Sequence, residues 1–129
     1  MFLRNFWLGI SWGIIIIVLS AVPGNYFPKI QSFADWLSVD KLVHIFLYFI
    51  FTYLIIIGVF KQKHSYKHKH LIFGIMFAVF FGGLLEIMQR YLFVGRDGNL
   101  YDFLANLLGC VLSYVLILYV ERKNLLKSS

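Results

Sequence analysis

Three segments of this 129-residue chain carry residues able to do chemistry: DKLVHIFLYF (40–49), EIMQ (86–89) and GRDGNLYDFLANLLG (95–109). Asp40, Lys41, His44 and Tyr48 stand in the first, and Glu86 and Gln89 in the second. Arg96, Asp102 and Asn106 stand in the third. An imidazole beside a carboxylate can move a proton, which makes His44 and Glu86 the candidates for acid–base work. Lys41 and Arg96 are anion-facing donors, Arg96 with a fork suited to phosphate or carboxylate. Tyr48, Gln89, Asp102 and Asn106 would orient whatever sits among them.

These groups are surrounded by grease. The chain is 60% hydrophobic and 14% charged, too few charges to cover the apolar surface of a soluble domain of this size. Four apolar runs, over about 6–22, 42–60, 71–89 and 103–120, each reach the roughly 17–25 residues that a spanning helix needs. The expectation is one all-α domain, residues 1–129, with four membrane-crossing helices in a bundle. A short interfacial helix over about 32–38 fits the first long loop, where Tyr26, Phe27 and Trp36 suit the headgroup region. The first run is read as an uncleaved helix: it exceeds a signal-peptide core and carries Gly9, Gly13 and Ser20 as a packing stripe.

Basic residues set the orientation. Arg4, Lys61, Lys63, Lys67, Lys69, Arg122, Lys123 and Lys127 fall on one side of the four runs, and Lys29, Lys41, Arg90 and Arg96 on the other. Eight against four puts both termini and the 61–70 loop in the cytoplasm of a multi-pass inner-membrane protein. The net charge of +6 therefore reads as topology and anionic-lipid contact, with no nucleic acid as partner. His64, His68 and His70 are poorly spaced for a metal and belong to a solvated basic loop. Cys110 reads as a buried thiol off the packing seam, and Ser113 as too deep for a nucleophile.

Depth now connects the chemistry to the helices. The second and fourth helices enter from the outer side, and the third leaves toward it. At about 1.5 Å per residue, His44, Glu86 and Asn106 fall within roughly 8 Å of one boundary. At about 100° per residue, seams form from Ala78, Gly82, Glu86 and Gln89, and from Asp102, Asn106, Gly109 and Ser113. A membrane-embedded carboxylate is a functional-site hypothesis by default, and Glu86 has His44 and Lys41 as partners. The bland alternative is bundle glue: Glu86 to Lys41, Asp102 to Arg96 or capping its own helix, and Asn106 to a carbonyl. A metal on His44, Glu86 and Asp102 is chemically conceivable, but Lys41 and Arg96 would repel it, and neither metal nor cofactor is expected.

The ordered set Asp40-Lys41-x-x-His44-x-x-x-Tyr48, Glu86-x-x-Gln89, Gly95-Arg96, Asp102-x-x-x-Asn106 and Gly109 resembles the VanZ-like family of small membrane proteins. The likeness covers roughly three-quarters of the chain. It departs from the family at Val94, where proline is common, and at Asn99, where many members carry Ser or Asp. The resemblance implies an accessory role linked to teicoplanin resistance and supplies no reaction. Three functions follow as expectations. The first is an outward-opening pocket for an amphiphile: a lipid headgroup, a lipid-linked envelope precursor or a lipoglycopeptide. The second is an enzyme acting on such a molecule through Glu86 and His44. The third is a non-catalytic partner of another envelope protein. Membrane lipids are partners in all three, and an oligomer is compatible with each.

Overall fold

The computed structural model describes residues 1–23, 25, 39–64, 67–95 and 98–128, with side chains through 124. Among these residues there is no strand, only four long helices: α1 (Phe2–Ala21), α2 (Val39–Lys63), α3 (His68–Tyr91) and α4 (Leu100–Ser128). All four are long and apolar enough to cross a membrane. The chain is an all-helical, multi-pass membrane protein.

Each helix outruns its apolar stretch. α1 begins at Phe2 rather than near 6, α2 continues through Lys63, and α4 runs past 120 to Ser128. Apolar length marks the part that needs lipid, whereas Lys, Glu and Arg prolong a helix into water at little cost. The expected basic loop over 61–70 is accordingly mostly helix. Lys61–Lys63 close α2 and His68–His70 open α3, with His64 in the left-handed region (φ 47°) that often ends a helix. The expected interfacial helix over 32–38, Tyr26, Phe27 and Trp36 with it, lies outside the described residues.

Four contacts fix the alternation of the helices. Asn5 at the start of α1 donates to Gln62 at the end of α2 at 2.7 Å. His68 at the start of α3 meets the ring of Tyr114, far along α4. Lys41 and Asp102 join the starts of α2 and α4, and Gln89 and Ser20 join the ends of α3 and α1. Both chain termini therefore belong to one end of the bundle, here called the basic end.

α2 is the central helix. It packs on α1, α3 and most extensively on α4, while α1 and α3 barely touch. Tyr48, Phe51, Ile55 and Val59 of α2 form a core with Ile16, Ala78, Leu85 and Cys110. A second core, Ile56, Phe60, Leu71 and Ile117, fills the bundle toward the basic end. Lipid provides no hydrophobic drive between helices, so close backbone approach must do more of the work. Gly109 shows it best. A Cβ there would lie 2.4 Å from the Ile45 carbonyl oxygen and 3.0 Å from the Phe49 nitrogen. Only glycine lets α4 lie this near α2.

Candidate functional site

At the other end of the bundle, α2 and α4 begin and α1 and α3 stop. There Glu86, Gln89, Asp102, Asn106 and His44 are all buried, each on the face its helical spacing predicts. Asn106, 2% exposed, is the hub. Its Nδ2 donates to Glu86 Oε1 at 3.1 Å, and its Oδ1 lies 2.8 Å from His44 Nδ1. A carboxylate only accepts, so the Asn106 nitrogen must face Glu86 and its oxygen must face the histidine. His44 Nδ1 therefore carries the proton that it donates to Asn106. In neutral His44 the lone pair then sits on Nε2. Three helices contribute one side chain each to this relay.

His44 and Glu86 do not bond directly. Nδ1 and Oε1 are 3.9 Å apart, beyond hydrogen-bonding distance, and Asn106 bridges them. Glu86 Oε2 is buried and makes no hydrogen bond, although the Asn99 backbone amide lies close to the same carboxylate. A buried carboxylate oxygen without a donor is expensive in a low-dielectric setting. Structural glue alone gives no reason to leave it open.

Two expected pairings are corrected. Lys41 bonds Asp102 Oδ1 at 2.8 Å rather than Glu86, because both stand in the first turns of neighbouring helices while Glu86 lies deeper. Asp102 does not cap α4. Asn99 does, its Oδ1 accepting the Asp102 N–H at 2.8 Å, which frees the Asp102 carboxylate for Lys41. Gln89 turns away from the relay and donates to the Ser20 carbonyl at 3.2 Å, tying α3 to α1. Tyr48, 2% exposed, lies against Gly82, where a Cβ would come 2.9 Å from its ring and 3.5 Å from Asn106 Cβ. Arg96 lies outside the described residues, so the expected anion-facing fork has no geometry here.

Cys110 is also corrected. It is fully buried in the core beside Thr52, rather than off the seam. The spacing Asp40, His44, Tyr48, Thr52 on α2 and Asp102, Asn106, Cys110 on α4 runs in steps of four, one face of each helix. That periodicity was the signal for Thr52 and Cys110. Thr52 and Ser113, both fully buried, have hydroxyl oxygens without a hydrogen-bond partner, although the Cys110 thiol lies beside Thr52.

Near the mouth, Asp40, His44 and Asp102 offer donor atoms that all lie within 4.8 Å of one another. A cavity of about 390 Å³ opens elsewhere, between α1, α2 and α3. Phe, Ile and Gly alone line it, among them Gly9, Gly13, Phe51 and Phe81. It has room for an acyl chain and no side chain to hold a polar group.

The chain is similar to an uncharacterized protein of Schizosaccharomyces pombe, 35% identical over 117 residues. The match takes in 85% of this chain and 63% of the yeast protein, so the chain spans less than two-thirds of that relative's length. No protein-family model matches the chain, and no solved structure gives a significant match.

Proposed function

We propose that the polar end of the bundle opens outward from a cytoplasmic membrane and binds the headgroup of an amphiphile. The ligand is a lipid, a lipid-linked envelope precursor or a lipoglycopeptide of the teicoplanin type. The observation that carries this reading is Glu86 Oε2, a buried carboxylate oxygen without a hydrogen-bond partner at the end of the Asn106 relay. A hydroxyl, amide or ammonium group on the headgroup would complete it. Lys41 and Arg96 would meet a phosphate or carboxylate. The apolar groove supports the amphiphilic half of the proposal. Tyr48 meets Phe51 edge-on at 6.3 Å, and Phe51 lines that groove, so one pair of rings stands between the polar end and the apolar groove. The eight-to-four bias of basic residues supports the outward orientation, and the resemblance to VanZ-like proteins supports the class of ligand.

His44 Nε2, which carries the lone pair in the neutral ring and makes no hydrogen bond to a described residue, favours a second reading, in which His44 acts as general base on the bound headgroup, oriented by Asn106 and Glu86.

Binding of a fluorescent phospholipid and of teicoplanin to the purified protein tests the first reading. Glu86→Gln and Arg96→Ala weaken binding if it holds, and unchanged binding in both removes it. Product formation in a defined membrane, lost in His44→Gln, distinguishes the second. Loss of expression in every site variant, with no ligand response, would instead point to a structural partner of another envelope protein.

A further inference from the structure

His44 Nε2 faces carboxylates. The residue is 8% exposed, and with Nδ1–H committed to Asn106, Nε2 lies 3.9 Å from Asp40 Oδ1, while one donor atom each of Asp40, His44 and Asp102 fall within 4.8 Å of one another. No described donor bonds Nε2, and in neutral His44 its lone pair faces the Asp40 carboxylate, with the Asp102 carboxylate close by and held by Lys41. That arrangement calls for a cation.

We propose that Asp40, His44 and Asp102 bind one divalent transition-metal ion, of the zinc or manganese class. One imidazole nitrogen and two carboxylate oxygens suit such ions, and three protein donors leave further positions open to water or a ligand. The relay behind His44 does what outer partners of metal-bound histidines do: Asn106 fixes the tautomer, and Glu86 in turn holds Asn106. Asp40, with its side chain 56% exposed, is free to swing inward.

Charge decides whether a cation is welcome. Asp40, Asp102 and Glu86 contribute three negative charges among the described residues, and Lys41 contributes one positive. The N-termini of α2 and α4 add roughly half a positive charge each. The C-termini of α1 and α3 at the same end offset that, leaving a balance of about −2, so the site attracts a cation with Lys41 in place and attracts it more strongly without. Lys41 is the built-in competitor. It holds Asp102 Oδ1 now, and an arriving ion would displace it.

This site does not depend on the amphiphile reading, because the ion alone is the probe. The full chain in detergent, stripped with chelator, is titrated with Zn²⁺, and its Co²⁺ absorption spectrum is recorded. One ion per chain is expected, with a spectrum of nitrogen and oxygen ligation. Asp40→Asn and His44→Gln should each weaken binding at least about tenfold. Lys41→Met should tighten it, the opposite of its expected effect on an anionic headgroup. Asp40 is exposed enough for its variant to keep the wild-type circular dichroism, which guards against loss through misfolding. Absence of saturable binding would overturn the proposal. So would binding that survives both ligand variants and disappears on replacing His64, His68 and His70, which would place the ion at the basic end.

Discussion

His44 and Asn106 join α2 to α4 through a 2.8 Å contact whose direction is fixed from beyond them both. Because the Asn106 amide nitrogen donates to Glu86, its oxygen must receive the proton of His44 Nδ1. A choice of tautomer, ordinarily free for a histidine, is settled by a residue on a third helix.

That dependence separates shape from charge at position 86. Glu86→Gln keeps an oxygen able to accept from Asn106 and should melt within a few degrees of wild type in detergent. Asn106→Leu leaves His44 Nδ1 and Glu86 Oε1 both without partners. It should lose about 2–4 kcal/mol, taking roughly 1–2 for each orphaned group. Thermal unfolding followed by tryptophan fluorescence or circular dichroism compares the two. Equal losses would contradict the direction assigned to the relay.

Close approach along the α2–α4 seam gives a sharper contrast between glycines. Gly109→Ala forces a methyl group onto backbone atoms of Ile45 and Phe49, which cannot rotate aside. It should destabilise by about 1–3 kcal/mol. At Gly83 the nearest atom to an added Cβ is a Phe103 ring carbon at 3.4 Å, ordinary contact, and Gly83→Ala should be neutral or mildly stabilising. The same melting assay checks both.

Deeper in the bundle the polar atoms serve no bond. Thr52→Val and Ser113→Ala remove fully buried, unpartnered hydroxyls with little change of shape. Each should leave stability unchanged or raise it by up to about 1 kcal/mol. A marked loss in either would mean that a water or a ligand reaches this depth.

At the mouth, Asn99→Ala removes the side-chain cap from α4 and should lower stability by about 1 kcal/mol. Asn99→Asp and Asn99→Ser, which can still cap, should restore most of it in the same melts.

Much of this was legible in the residues themselves. Apolar run length identified all four helices, and helical periodicity put Glu86, Gln89, Asp102 and Asn106 on buried faces. Equal depth was enough to gather His44, Glu86 and Asn106. Pairing was harder. Depth alone pairs Lys41 with Glu86 and Asp102 with Arg96, and only the lateral order of the helices decides that Asp102, in the first turn of the adjacent α4, receives Lys41. Asn99 was visible as a departure from a family pattern, but its role as cap depends on α4 starting one residue later, at Leu100. The seam position of Cys110 was missed because the glycine and serine beside it drew the seam slightly to one side.

The most direct test is a double-mutant cycle in ligand affinity, with Glu86→Gln, His44→Gln and both together, read by fluorescent-phospholipid and teicoplanin binding. If Asn106 makes these two residues one device at a headgroup, each single change costs about tenfold and the pair together little more than either alone. Affinity untouched by all three variants, in protein that melts normally, would mean that nothing binds where these helices converge.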